Sequence, residues 1–595
     1  MLELSNRLRL QTDVLIIMFL AIFSLSVMLY FLYIHGETMI YLDSYLNYQK
    51  IVAFSEGSEF EKITVTSGPF FVFYSSLYTL FQDSPSVLQY LRIVNMLIGV
   101  VLTVSIYKIS RKLFDPFISL ACGVLATFLP VVMIYSVTLH SDIFAYAMGF
   151  LALYFSIKPK NYKRIILATF FIVMTASRLD VLLFFTIPYL IGISYFLAPR
   201  IKVKFPILFL IILCVCFIPS YFAIEAAGIF YKDAFFDYSL MNQITTLVNA
   251  NTVSSIIESS LEITGDKAVH ISGDDGINIF YKIIFLFGIG FFTFITCKKF
   301  LEFVKKREIE INQSHTVSIF LATSAIISIL GLAAFHTPIT LVDRTIIDDE
   351  ILPRYMIGLR LFAIFPFIFG LWILSQAFTK TVTSSDRWIY YQIKHFKATK
   401  SRVFSEKFVP EKELRFYLTA KTMSYAFVAI VVIILSFQMW DSAVRFYEND
   451  STQINVYKKA AVWLTENMRE EEMVFLPMKD VFWSFEPSLK SKTYEYIQIW
   501  DQLDYKLRLV TTQEQISEVK NTLKDFAHDP KNNVKFMVFS WNDHHGKISS
   551  GITHIELPKP DVCSEFDKGV SEAVRFDFRL PHSNWKNNLV ICEIM

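Results

Sequence analysis

From Leu125 to Ile157 the chain reads LATFLPVVMIYSVTLHSDIFAYAMGFLALYFSI. Two apolar runs meet at a short polar break, SVTLHSD, and that break ends on an aspartate, Asp142. Crossing a hydrocarbon core of ~30 Å takes about 20 apolar residues of helix, so the pattern reads as one membrane span ending and another beginning. Lipid admits only helices and closed barrels, and runs this continuous are helices.

The rest of the first three quarters of the chain repeats the pattern. The 595 residues are 54% hydrophobic and only 18% charged, where soluble domains carry roughly 25%. Spanning helices are expected near 14–34, 93–110, 116–136, 142–158, 164–178, 181–198, 205–224, 279–297, 316–336, 354–378 and 422–440, about eleven in all. The shorter run GPFFVFYSSLYTLF (68–81) competes for a span, but its length suits an interfacial or re-entrant segment. Arginines ahead of the first run resemble a signal peptide, yet that run is long and no small-x-small site follows it. An uncleaved first helix is expected.

Lysine and arginine fall in alternate loops: Arg7 and Arg9, Lys108 to Lys112, Lys158 to Arg164, Arg200 to Lys204, Lys298 to Arg307, and Lys380 to Lys421. The positive-inside rule therefore puts the N-terminus in the cytoplasm and residues 441–595 outside. Net charge is +2, so the basic residues serve topology and nucleic acid is not an expected partner.

Composition changes near Met439, which divides the chain into a membrane domain, 1–439, and an extracytoplasmic domain, 440–595. In the second, Val456, Ala460, Trp463 and Leu464 follow helical spacing and precede a strand-like MVFLP. QEQISEVKNTLKDF (513–526) precedes VKFMVFSW, and AVRFDFRL and NNLVICEI read as closing strands, which makes an α/β domain. Its two cysteines, Cys563 and Cys592, are either bridged or two buried thiols.

Charged residues at the mouths of the spans gather on the outer side. ETMIYLDSYLNYQK (37–50) places Asp43, Ser44, Asn47 and Lys50 on one face of a surface helix, with Asp43 at its start. Asp142 stands between the third and fourth spans, Arg178 and Asp180 at the end of the fifth, and Arg354 and Tyr355 at the head of the tenth. Each has a plain alternative: Asp43, or Ser141 or Asp142, as a helix cap, and Arg178 as the ion-pair partner of the neighbouring acid. Ionisable groups at membrane depth are costly, and carboxylates facing arginines suit a transfer from a lipid phosphate.

In this order the motifs resemble the GT-C superfamily of polytopic glycosyltransferases. The likeness is greatest to the branch that uses polyprenyl-phosphate sugars, which includes protein O-mannosyltransferases and lipid A aminoarabinose transferases. Its carriers are Asp43 after the first span, SGPFFVFYSSLYTLF after that, LRIVNMLIGVVLTVSIYKISRKLF as second span, the 125–157 stretch, and LPRYMIGLRLFAIFP as a late Arg-Tyr helix. Ser67 stands where the family has histidine, Pro69 is the one proline left of a pair, and Arg178 replaces a frequent lysine.

The resemblance implies an all-α, GT-C-like membrane domain and a membrane glycosyltransferase moving a hexose or pentose, with inversion, from a polyprenyl- or dolichyl-phosphate donor. The acceptor would be a hydroxyl on a glycan, lipid or protein. It casts Asp43 as the general base, and Asp142 as a residue that positions Asp43 or the acceptor, or shares with Asp43 a divalent cation, magnesium or manganese. Arg178, Arg354 and Tyr355 would hold the phosphate, and Ser67, Pro69 and Asp180 would position the acceptor. The setting would be a prokaryotic cell membrane, or the endoplasmic reticulum in a eukaryote. A transporter or lipid flippase would also want charges in the membrane, but would favour repeated halves and helices broken at the midplane. A sensor or assembly factor would leave the one-sided acids unexplained.

Single cysteines placed at Ser58 and Thr264 should react with an impermeant thiol reagent in intact cells, whereas one at Asn312 should not. The opposite pattern would reverse the topology.

Overall fold

The structure is a computed structural model. It describes residues 2–35, 42–56, 68–212, 283–290, 357–383, 411–476, 482–495, 513–542 and 547–594, with breaks of one to five residues inside some ranges. The expected span at 316–336, and most of those at 279–297 and 205–224, lie outside these residues.

The N-terminal part is a helical bundle. A long α1 (Leu2–His35) is followed by two short helices, α2 (Leu42–Ser55) and α3 (Gly68–Phe81), and then by α4 (Val87–Ser110). The surface helix expected from the polar face of 41–52 is α2, and the ambiguous 68–81 run is α3, 14 residues long and too short to span unaided. Ser75 Oγ donates to Ile51 O at 3.1 Å and joins the two.

The expected third span is bent. Asp115 caps α5 (Pro116–Phe128) by accepting from the backbone N–H of Phe117 and Ile118, and Pro130 opens α6 (Pro130–Val137) after a bend of 59° at Leu129. Proline suits a first helical turn and cannot continue an existing one, so the break falls just ahead of it. After it come α7 (Ser141–Ser156), α8 (Tyr162–Thr175) and α9 (Leu179–Ile201). Among the described residues five helices are long and apolar enough to cross a membrane, or six if the α5–α6 pair is one span. The chain is an integral membrane protein. The expectation of eleven spans is matched only in part, because α7 and α8 are 16 and 14 residues long and other candidates lie outside the described residues.

Close packing and small polar contacts join the bundle, as expected where lipid provides no hydrophobic drive between helices. Ser24 of α1 and Thr127 of α5 meet at 2.7 Å between their hydroxyls. A Cβ on Gly192 of α9 would lie 2.5 Å from the backbone oxygen of Ser156, so only glycine lets α7 and α9 approach this closely. Later, α10 (Ile357–Thr383) packs against α5 and α11.

The composition border near Met439 falls inside a continuous helix. α11 (Glu411–Asn467) has 57 residues, roughly 85 Å at 1.5 Å per residue. Its apolar part covers Thr422–Arg445, where the Trp440 ring lies edge-on to Phe31 at 5.4 Å. Its last turns bury Val456, Tyr457, Ala460, Ala461 and Leu464 against a sheet.

Among the described residues that sheet has seven strands: β1 (Met473–Leu476), β2 (Thr493–Glu495), β3 (Val534–Asn542), β4 (Lys547–Ser549), β5 (His554–Glu556), β6 (Val570–Arg579) and β7 (Lys586–Ile594). β1 runs parallel to β2 and β3, whereas β3–β4, β4–β5, β3–β7 and β6–β7 are antiparallel. Residues of β3 and β7 alternate between two cores. Phe536, Val538, Leu589 and Ile591 face the end of α11, while Met537, Phe539, Val590 and Cys592 face Leu523 and Ala527 of α12 (Gln513–His528) and Phe566 of α13 (Val562–Phe566). All four strands expected from the sequence are present, with helices on both faces.

Cys563 of α13 and Cys592 of β7 form a disulfide, with Cα atoms 5.6 Å apart. This decides between the two alternatives left by the sequence. In the chain-entropy model a bridge over a loop of 29 residues contributes about 3–4 kcal/mol. Both cysteines should escape alkylation in denatured, unreduced protein and become labelled after reduction. Reduction should also lower the denaturant midpoint of this region. Labelling without reduction would contradict the bridge.

Candidate functional site

The site is built on the end of α6. The last four carbonyls of a helix have no partner within it, and here the chain turns away after Val137 without another helical turn to cover them. Ile134 O accepts from the backbone N–H of Thr138 at 3.2 Å. The next five carbonyls in succession are met by side chains from other helices. The two hydrogens of Asn95 Nδ2 are shared among Thr138 O at 2.5 Å, Tyr135 O at 2.7 Å and Ser136 O at 3.3 Å. Arg92 Nε donates to Val137 O at 2.9 Å, and Asn47 Nδ2 to Leu139 O at 2.9 Å. A cation at the end of α6 also suits the negative pole of its dipole. Tyr74 of α3 donates its hydroxyl to Asn95 Oδ1 at 2.7 Å and fixes the amide's orientation.

This strapped turn presents Asp142. Its side chain is 1% exposed, and each of its oxygens has a nitrogen partner. Oδ1 accepts from Arg178 Nη1 at 2.7 Å, and Oδ2 lies 2.9 Å from His140 Nδ1. The N-cap of α7 is His140, with no side-chain capping bond, so neither Ser141 nor Asp142 serves as the cap that the sequence alone allowed. Arg178 is the N-cap residue of α9, and its side chain is 12% exposed. It reaches back 36 residues to Asp142. The Tyr135 ring stacks on His140, with centroids 4.3 Å apart and planes at 19°.

The other expected site residues stand around this centre to different degrees. Asp43 lies in the first turn of α2, four residues before Asn47, whose amide holds Leu139; the Asp43 side chain lies outside the description. The helix carrying Asp43 is thus tied directly to the turn that carries Asp142. Pro69 is in the first turn of α3, and Asp180 in the first turn of α9, its side chain again not described. Ser67, Arg354 and Tyr355 lie outside the described residues. α10 begins shortly after Tyr355, and its second residue, Gly358, sits against the Tyr146 ring of α7, where an added Cβ would come 3.0 Å from the ring and its hydroxyl.

Sequence reasoning missed His140, Asn47, Arg92, Asn95 and Tyr74 as parts of the site. Arg92 and Asn95, three residues apart inside an apolar run, carried a usable signal: polar groups at that depth face the bundle interior. Starting the second span at 93 left Arg92 outside it, whereas α4 begins at Val87.

Residues 68–222 match the family model of dolichyl-phosphate-mannose-protein mannosyltransferase, a stretch shorter than half of the chain. It contains α3 to α9, and with them Asp142, His140, Arg178, Arg92 and Asn95. No curated protein matches the sequence. Among solved structures, similarity is found to the archaeal oligosaccharyltransferase AglB from Archaeoglobus fulgidus, in complex with an inhibitory peptide and a dolichol-phosphate. It has 10% identity over 88% of this chain and 69% of that one, with a TM-score of 0.47. ArnT from Cupriavidus metallidurans in the apo state is similar at 11% identity over 91% of each chain, with a TM-score of 0.39. The same protein bound to undecaprenyl phosphate gives 11% identity over 88% and 87% of the two chains, with a TM-score of 0.35. These structural likenesses are loose, and no residue role is carried over from them. The resemblance of the sequence to GT-C glycosyltransferases stands on the family match, over the segment that builds the site.

Proposed function

We propose that the protein is a membrane glycosyltransferase that moves a sugar from a polyprenyl-phosphate donor to a hydroxyl on a glycan, lipid or protein. The observation that carries this reading is the ion pair of buried Asp142 with Arg178 within the segment that matches the mannosyltransferase family model. Asp142 holds Arg178 by one oxygen, and the guanidinium, partly exposed at the head of α9, is a fixed cation of the kind a lipid phosphate requires. The relatives whose structures contain dolichol-phosphate or undecaprenyl phosphate are in keeping with such a carrier.

In the proposed reaction the acceptor O–H gives its proton to Asp43, and the oxygen attacks the anomeric carbon. The bond from that carbon to the phosphate oxygen breaks, its electron pair leaves with the polyprenyl phosphate, and configuration inverts. Arg178, with Arg354 and Tyr355, would stabilise the charge gathering on the leaving phosphate. Asp142 acts as a positioning residue. Both of its oxygens face nitrogen donors, and a guanidinium 2.7 Å away occupies the place and the sign of charge that a magnesium or manganese ion would need. This donor set does not fit a cation at Asp142, and no step is routed through one.

The reaction would take place on the outer face, with the N-terminus in the cytoplasm. The Cys563–Cys592 bridge supports this placement of the C-terminal domain, 440–595, because disulfides persist in oxidising compartments.

Purified protein in lipid, offered a panel of polyprenyl-phosphate sugars, should release polyprenyl phosphate and transfer or hydrolyse one of them. Asp43→Asn should insert normally and lose about 10²–10⁴-fold in turnover, the range for a missing general base. Normal turnover in that variant would remove Asp43 from the reaction.

A further inference from the structure

His140 takes no part in the reaction written above, yet it is fully buried and touches the carboxylate of Asp142. We propose that His140 is a positioning residue of the donor-phosphate site: by holding Asp142 from one side it fixes the direction in which Arg178 presents its guanidinium to the lipid phosphate. The inference rests on the reading in which Arg178 meets that phosphate.

The geometry is a relay of orientation through three side chains. A carboxylate turns about its Cβ–Cγ bond unless both oxygens are held. Arg178 holds Oδ1 at 2.7 Å, and His140 Nδ1 sits 2.9 Å from Oδ2, on the other side of the same group. The imidazole is held in its turn. Its plane lies against the Tyr135 ring, and its backbone N–H donates to Thr138 O at 3.2 Å, within the turn that Asn95, Arg92 and Asn47 strap in place. The chain of restraint thus runs from α4 and α2, through the 135–139 carbonyls and the imidazole, to Asp142 and on to Arg178. Without the Nδ1 contact the carboxylate keeps its charge but loses one of the contacts that fix its angle, and Arg178 is anchored less rigidly. The loss would appear in donor affinity before it appeared in folding.

Three substitutions separate this role from that of an ordinary buried histidine. An asparagine amide can place an N–H where Nδ1 stands, a glutamine amide reaches instead toward the Nε2 position, and alanine supplies neither. All three remove the ring that stacks on Tyr135. A purely structural role would therefore penalise them alike, whereas the positioning role distinguishes them.

The test is the affinity of the purified full-length protein in nanodiscs for undecaprenyl phosphate, with Arg178→Ala measured alongside. His140→Asn should bind within a small factor of the parent, while His140→Gln and His140→Ala should weaken by about tenfold or more, the effect of losing a hydrogen bond to a charged group. Should the alanine variant fail to insert, the asparagine and glutamine variants carry the comparison. Equal weakening of all the inserted His140 variants, or no weakening in any, overturns the inference. Unchanged binding in Arg178→Ala overturns the underlying reading of the phosphate site, whatever His140 does. Loss in Arg178→Ala with unchanged His140 variants overturns the inference alone.

Discussion

Main-chain carbonyls buried among apolar helices must find donors, and the rest of the site depends on how this chain supplies them after α6. Leaving such a group unpaired costs about 1–3 kcal/mol, and five in a row, from Tyr135 to Leu139, would be prohibitive. Three side chains meet them: Asn95 shares its two N–H donors among three, and Arg92 and Asn47 take one each. Because these donors come from α2 and α4, satisfying the turn also decides where those helices sit. The same contacts place the helix that carries Asp43 beside the turn that carries Asp142. Energetic necessity and site geometry are here the same set of hydrogen bonds.

From that turn the order of the site follows by short steps. Asn95 is oriented by Tyr74, so α3 is drawn into the network, and Asp142 draws in α9 through Arg178. These elements fall within the 68–222 segment that matches the mannosyltransferase family model, and only α2 lies ahead of it. The C-terminal sheet is joined to this assembly by α11, which passes through the bundle beside Phe31 and ends against β3 and β7. A single helix shared by both parts resists bending between them, since each turn of it is hydrogen-bonded to the next.

What could be read from residues alone followed from local pattern. The apolar runs, the short helix at Leu42–Ser55, the strands ending in NNLVICEI and the two cysteines of the C-terminal part are periodicity and composition. Asp142 and Arg178 were legible as charges at span mouths, but their pairing was not, because 36 residues and two helices separate them. The break at Leu129 was hidden by hydropathy, which runs unbroken across Pro130, although the proline itself was the sign of it. At the border near Met439 apolar composition gives way while the helix continues to Asn467, because helical hydrogen bonding does not depend on the apolar run. His140 was invisible as a site residue because a lone histidine beside an aspartate acquires meaning only when a distant arginine takes the other oxygen.

Arg178, held in place by Asp142, is the cation proposed to meet the lipid phosphate. A cryo-electron microscopy structure of the protein with a bound polyprenyl phosphate tests this most directly. The phosphate should lie within charge-assisted hydrogen-bond distance of the Arg178 guanidinium, about 2.7–2.9 Å, with the Asp142 contact retained. A phosphate seated away from Arg178, or an Arg178 that abandons Asp142 on binding, would contradict it.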